Sequence, residues 1–228
     1  MSEDLSTASS AGGSQGPARV LASRPLRLWA ALVCGLLVAF AADSPVMSRV
    51  EALQHSTLAG VLSNTVRWLG NGRFQIPALL LLMVAGALLS RRLLRAAWLA
   101  FVAFVASGIT ANLMKVLIHR ARPFTSAPQP EQWLGYLRAH DFQSFPSGDS
   151  TTTFAIAAVL GAAFPRAQAP LMAVAIIVAA ARVLVGSHHP SDVVAGAMLG
   201  LAVAHIVLRL ARRRDGAGAH RASGEPES

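Results

Sequence analysis

Between residues 28 and 210 the sequence passes through six apolar stretches, at about 28–42, 74–90, 96–117, 150–165, 168–187 and 192–210, with arginine clusters between several of them. No other feature constrains the fold as strongly. Hydrophobic residues make up 54% of the 228 positions and charged residues 14%, against about 45–50% and about 25% in an ordinary soluble domain. This distribution excludes a disordered chain, a secreted disulfide scaffold and an ordinary cytosolic enzyme. It predicts an all-α, polytopic membrane protein with about six transmembrane helices in a bundle. Several of the stretches are shorter than the ~20 residues that cross a bilayer alone, so their helices must extend into flanking polar residues.

The net charge is +9, from 20 cations against 11 acids. Nucleic-acid binding would need those cations on one face of a soluble fold. Here they lie between apolar spans, where the positive-inside rule accounts for them. Six spans with both termini in the cytosol place twelve cations inside and eight outside. Of the outer eight, Lys115, Arg122 and Arg182 belong to motifs, and the other five read as ordinary loop charges. Residues 1–25, rich in Ser, Ala, Gly and Pro, are expected to form a disordered cytosolic tail. Residues 26–212 then form the membrane domain, and 213–228 a second cytosolic tail. Val46 to Leu69 mixes apolar and polar residues at near-helical spacing, as in a short interfacial helix after the first span. Ala39-Phe40-Ala41 resembles a signal cleavage site, but the region before it is unusually long, so the stretch is read as a span. The single cysteine, Cys34, forbids a disulfide framework or a cysteine-based metal site and is expected to be a buried small apolar group.

Three polar clusters stand at span ends, where ionisable residues mark function. Lys115 precedes Arg122-Pro123 by seven residues, about two helical turns, which predicts an anion clamp on one helical face. Phe145-Pro146-Ser147-Gly148-Asp149-Ser150 precedes an apolar helix. Ser147 is a natural N-cap, Gly148 permits close backbone approach, and a helix start binds phosphate. The third cluster is Arg182, His188 and Asp192. A carboxylate four residues after a histidine can hold one ring nitrogen and leave the other free as base or nucleophile. Taken singly, each cluster also fits lipid anchoring or helix capping. On one membrane face, they supply what phosphoryl transfer needs: positive charge around the phosphate oxygens and an in-line nucleophile.

In order and spacing these residues resemble the type 2 phosphatidic acid phosphatase superfamily of membrane lipid phosphatases. Its pattern is Lys-x6-Arg-Pro, then Pro-Ser-Gly-His, then Ser-Arg-x5-His-x3-Asp. The resemblance implies that His188 is the nucleophile of a phosphohistidine mechanism, with Asp192 orienting it. It implies that Lys115, Arg122, Arg182, Ser147 and the Gly148 backbone hold the phosphate. No metal or other cofactor is implied, because the three cations supply the positive charge. The partner implied is a membrane lipid phosphate, met at the outer face of the inner (plasma) membrane.

Two positions depart from the pattern. Ala181 stands where the family has serine, and Asp149 where it has the histidine that protonates the leaving group. A bound phosphate favours protonation of an adjacent carboxyl, and cations oppose it. Ionised, Asp149 is a poor acid and repels substrate; protonated, it can replace the histidine. A diphosphate substrate, such as undecaprenyl diphosphate, would need little acid help. Phosphatidylglycerophosphate, phosphatidic acid and lipid A phosphates fit the same motifs. His119, His140 and His189 are further proton sources on the same side. The expected function is therefore a lipid phosphate or diphosphate phosphatase. Two alternatives remain: a lipid-to-lipid phosphotransferase and a catalytically inactive lipid-binding member.

Overall fold

A computed structural model describes the backbone of residues 17–53 and 68–223 and the side chains of 30–53 and 68–215. The chain divides into two compact units, Met1–Gly35 and Leu36–Ser228. The described residues form helices α1 (Pro17–Leu53), α2 (Gly72–Leu89), α3 (Arg91–Ile118), α4 (Trp133–Tyr136), α5 (Gly148–Ala163), α6 (Pro165–Leu184) and α7 (Pro190–Ser223). A 3₁₀ turn at His140–Phe142 completes the loop between α4 and α5. No strand occurs among the described residues.

Among the described residues five segments are long and apolar enough to cross a membrane: Ala30–Leu53, Gly72–Leu89, Arg91–Ile118, Pro165–Leu184 and Pro190–Asp215. The remaining apolar stretch, 150–165, forms α5, which has 16 residues. At 1.5 Å per residue it spans about 24 Å, less than the ~30 Å hydrocarbon core. It lies among α3, α6 and α7 and is buried on several faces, including four consecutive hydroxyl residues, Ser150 to Thr153. The expected architecture of about six helices in a membrane bundle is therefore observed, with one short inner member.

Some boundaries differ from expectation. Val46 to Leu53 continue α1 instead of beginning a separate interfacial helix. Residues 54–67, where the rest of that helix was expected, lie outside the described residues. Helix α1 begins at Pro17 and α7 ends at Ser223, so helix enters both stretches expected to be tails. Residues 1–16 and 224–228 are outside the described residues. Cys34 is exposed, not buried. Apolar side chains of a membrane helix are at home in lipid, and Leu81, Leu88 and Leu117 are 70%, 80% and 75% exposed on the same principle.

Small residues fill the interior. Ala97, Ala100, Ala103, Ala155, Ala175 and Ala204 are completely buried, which lets helix backbones approach closely. The Gly196/Gly200 pair of α7 does the same against α5. A Cβ on Gly196 would lie 2.6 Å from the Ser147 carbonyl oxygen, and one on Gly200 2.2 Å from that of Thr151. One residue, Ser90, links α2 to α3, and one, Phe164, links α5 to α6. Arg92 ties these tight turns together, donating to the Ala163 carbonyl with its guanidinium 5.3 Å from the Phe164 ring centre. The long α3–α5 connection lies at the opposite end, where the polar motifs gather.

Candidate active site

A pocket of about 320 Å³ opens where α3 and α6 end and α2, α5 and α7 begin, and Lys115, Arg122, Gly148, Asp149, Arg182 and His188 all line it. The expected convergence of the three motifs is thus observed. The reason given for the first one is not. Helix α3 stops at Ile118, and His119 turns left-handed with φ 50°, so Lys115 and Arg122 do not share a helical face. Lys115 lies in the last turn of the helix, its ammonium facing Gly148, where a Cβ would lie 3.2 Å from Nζ. Arg122 sits in the following loop. Its N–H donates to the Asp141 carbonyl at 2.7 Å, its Nε to the His140 carbonyl at 3.0 Å and its Nη1 to the Ser187 carbonyl at 3.2 Å.

Ser147 caps α5 as expected but lies behind the pocket. It is fully buried, its hydroxyl accepts from Ser150 Oγ at 3.1 Å, and its N–H donates to the Asp192 carbonyl at 2.9 Å. Gly148 and Asp149 form the helix start at the pocket wall, an arrangement that favours a bound anion. Asp149 Oδ2 lies 3.1 Å from Arg182 Nε, so a carboxylate and one of the three cations already face each other in the pocket.

His188 is 2% exposed. Its Nδ1 lies 2.8 Å from the Ser144 carbonyl oxygen, which can only accept, so Nδ1 carries the hydrogen and Nε2 keeps its lone pair. Burial pushes the imidazole pKa down to about 4, the Arg122 and Arg182 charges add to this, and Asp192 opposes it. Burial and the nearby Arg122 and Lys115 charges also lower the His140 pKa.

Asp192 does not bond His188 directly. Its Oδ2 is 3.7 Å from His188 Nδ1, beyond hydrogen-bond range. Instead Oδ2 accepts from Ser144 Oγ at 2.6 Å and from the His189 N–H at 2.8 Å. It therefore braces the two segments that hold the imidazole. Asp192 Oδ1 accepts from Arg120 Nη1 at 2.6 Å.

Arg120, expected to be an ordinary loop charge, is the largest correction. Besides Asp192 it donates to Ser191 Oγ and to Asp43 Oδ2, each at 2.6 Å, with Phe40 and Phe145 ring centres 5.2 and 6.0 Å from its guanidinium. Asp43 also accepts from the Ser191 N–H at 2.9 Å and from Ser191 Oγ at 2.6 Å. The sequence held a signal: Asp43 is the only charged residue between Leu28 and Ser48, and an acid in a span is a functional candidate. Of the three extra histidines, only His140 lines the pocket. His119 packs on Trp133 and Tyr136, and His189 turns Nδ1 toward Asp192.

Comparison with known proteins finds membrane lipid phosphatases among the relatives. The chain is 42% identical over 109 residues to lipid A 1-phosphatase of Rhizobium johnstonii, covering 44% of this chain and 41% of that protein. The Rhizobium etli lipid A 1-phosphatase is likewise 42% identical over 108 residues, covering 44% of each. The chain thus spans less than half the length of these two relatives. Decaprenylphosphoryl-5-phosphoribose phosphatase of Mycobacterium tuberculosis is 36% identical over 147 residues, covering 60% of this chain and 72% of that protein. Two crystal structures share the fold. Aquifex aeolicus LpxE has a TM-score of 0.59 and 23% identity, covering 73% of this chain and 94% of its own. The Bacillus subtilis transmembrane PAP2-type phosphatidylglycerolphosphate phosphatase has a TM-score of 0.61 and 21% identity, covering 83% and 96%. The profile of the PAP2 superfamily matches residues 96–215, which include every motif residue that meets at the pocket, and the chain belongs to that superfamily.

Proposed function

We propose that this multi-pass membrane protein is a lipid phosphatase that hydrolyses a lipid phosphate through a phosphohistidine at His188. One observation carries the reading: a buried, neutral His188 presents Nε2 in a pocket lined by Lys115, Arg122 and Arg182. Nε2 attacks phosphorus, the bond from phosphorus to the lipid oxygen breaks, and the three cations hold the phosphate oxygens as charge spreads over them. Water then attacks the phosphohistidine, releasing phosphate and restoring the imidazole. The cations supply the charge that a metal supplies elsewhere, so the reaction proceeds without one. Gly148 and the start of α5 add anion-binding N–H groups, while Ser147 and Asp192 hold the backbone and His188 in place.

Asp149 provides the leaving-group proton in this scheme. Its carboxylate faces Arg182. Substrate phosphate competes for that guanidinium, leaving Asp149 next to an anion, where a carboxyl holds its proton more readily. The relatives' names support a phosphate ester on a membrane-anchored head as substrate. Counting α5 as a sixth crossing puts both termini in the cytosol and the pocket at the outer face of the inner membrane, as the cation bias favours.

The test is phosphate release in detergent from phosphatidic acid, phosphatidylglycerophosphate, undecaprenyl diphosphate and lipid A, with EDTA present. Wild type is expected to release phosphate from at least one of them, and His188→Ala none. Equal release by the variant would overturn the mechanism. Release only when a second lipid is added would make the protein a phosphotransferase.

A further inference from the structure

At the end of the bundle away from the phosphate pocket, α3 and α7 leave a cavity of about 280 Å³ between them. Helix α3 lines it with Arg95, Trp98, Leu99 and Val102, and α7 with Val207, Leu210, Ala211 and Arg214. Both sets follow the spacing i, i+3, i+4, i+7, which puts each on one face of its helix. Arg95 stands near the start of α3 and Arg214 near the end of α7, and an ion pair from Arg95 to Asp215 joins these two ends. Arg95 and Lys115 are twenty residues apart on α3, which is about 30 Å and matches the hydrocarbon core of a bilayer. The two pockets therefore meet opposite leaflets.

The rim of this cavity is charged and open. The Arg95 and Asp215 side chains are 54% and 53% exposed, and Arg214 is exposed as well. Two guanidiniums against one carboxylate leave the rim positive. Nothing nearby in sequence offsets it, because Asp215 is the one acid in residues 91–118 and 193–215. An exposed ion pair contributes little, so a better anion can take Arg95 from Asp215. Trp98, 51% exposed, lies one turn from Arg95, at the level where indoles sit in a membrane interface. The remaining walls are apolar. A soluble anion would leave those walls without a partner, and a zwitterionic lipid would leave the surplus charge without one.

We infer that this groove seats an anionic phospholipid, its headgroup phosphate on Arg95 and Arg214 and an acyl chain along Leu99, Val102, Val207 and Leu210. Guanidinium matches phosphate with paired hydrogen bonds, and a basic pocket between membrane helices is a recurring form of headgroup recognition. This lipid is not the substrate, because its phosphate lies about a bilayer's thickness from Lys115 and the pocket that Lys115 lines. It is a clasp between α3 and α7, whose other ends carry Lys115 and Asp192.

The experiment reconstitutes the full chain in mixed vesicles of phosphatidylglycerol and phosphatidylcholine, with one or the other lipid brominated in its acyl chains. Bromine quenches an indole on contact, so competition between the two lipids gives their relative affinity beside Trp98. The other three tryptophans are removed as Trp29→Phe/Trp68→Phe/Trp133→Phe; if that background does not fold, the difference between the wild-type chain and Trp98→Phe supplies the same signal. Phosphatidylglycerol is expected to bind about fivefold more tightly than phosphatidylcholine, the effect of one net cation. Arg95→Gln/Arg214→Gln should bring that ratio to about one, and Arg214→Gln alone should lower it. Asp215→Asn, which removes the competing carboxylate, should raise it several-fold. Arg213→Gln removes the same charge from a position that does not line the groove and should leave the ratio unchanged. A starting ratio near one, a ratio indifferent to Arg214→Gln, or an equal fall with Arg213→Gln would overturn the inference.

Discussion

Replacing Arg120 with methionine tests the frame that holds the site. The guanidinium donates to Asp43, Ser191 and Asp192, each at 2.6 Å, and the Asp192 side chain has no solvent exposure while that of Asp43 has 11%. Methionine keeps an unbranched, adaptable apolar chain between Phe40 and Phe145, so the loss is electrostatic more than steric. It leaves two largely buried carboxylates without their shared cation. Breaking a buried pair from one side costs about 3–5 kcal/mol, which for a chain of this size corresponds to a fall in Tm of roughly 6–20 °C. Asp192 braces Ser144 and His189, the neighbours that orient His188, so kcat/KM should fall at least tenfold as well. Thermal unfolding in detergent and phosphate release on the same preparation read both effects. The double variant Asp43→Asn/Arg120→Met removes one of the stranded charges, and it should recover more than about 1 kcal/mol relative to Arg120→Met alone. A fall in Tm below about 3 °C with kcat/KM within twofold of wild type would refute the reasoning, as would a double variant no more stable than the single one.

Four further outcomes are expected. Asp149→Asn removes the negative charge facing Arg182, so inorganic phosphate should inhibit roughly tenfold more tightly, about 1.4 kcal/mol, while turnover of alkyl phosphates slows; an unchanged inhibition constant would show that the carboxylate does not oppose the anion. The His188 pKa is pushed down from 6.5 to about 4, so the acid limb of kcat/KM assigned to the nucleophile should lie near 4, and a limb near 6.5 would contradict the buried, neutral imidazole. Because the fold favours the neutral ring, the linked stability is full above pH 6.5 and is lost as pH falls toward 4, about 3 kcal/mol in all, measurable as a falling Tm across that window. Gly200→Ala places a methyl 2.2 Å from the Thr151 carbonyl oxygen; backbone must move, and a loss of about 1–3 kcal/mol is expected, whereas an unchanged Tm would mean that α5 and α7 do not approach this closely.

How much of this was legible in the sequence depends on the range of the interactions. Apolar stretches specify membrane helices because each helix satisfies its own backbone polar groups and meets lipid with its side chains. The class of fold is therefore a property of composition along short windows. The motif residues were legible too, since Lys115, Arg122, Arg182 and His188 are cations or imidazole at span ends, where ionisable groups are expensive. Ser147 capped its helix as its position foretold, because capping is a contact between residues three apart.

What the tertiary structure decided lies between distant segments. Arg120 read as a loop charge because its partner Asp43 is 77 residues away, and no local pattern links the two. Asp192 reads as the direct partner of His188 from their spacing, yet His188 Nδ1 donates its hydrogen to the carbonyl of Ser144, 44 residues upstream. The pairings of Arg182 with Asp149 and of Arg95 with Asp215 likewise arise only when helices far apart in sequence pack together. Composition and short-range spacing fix which groups are present and which elements carry them. The approach of backbones, set by glycine and alanine at the helix contacts, fixes which of those groups meet.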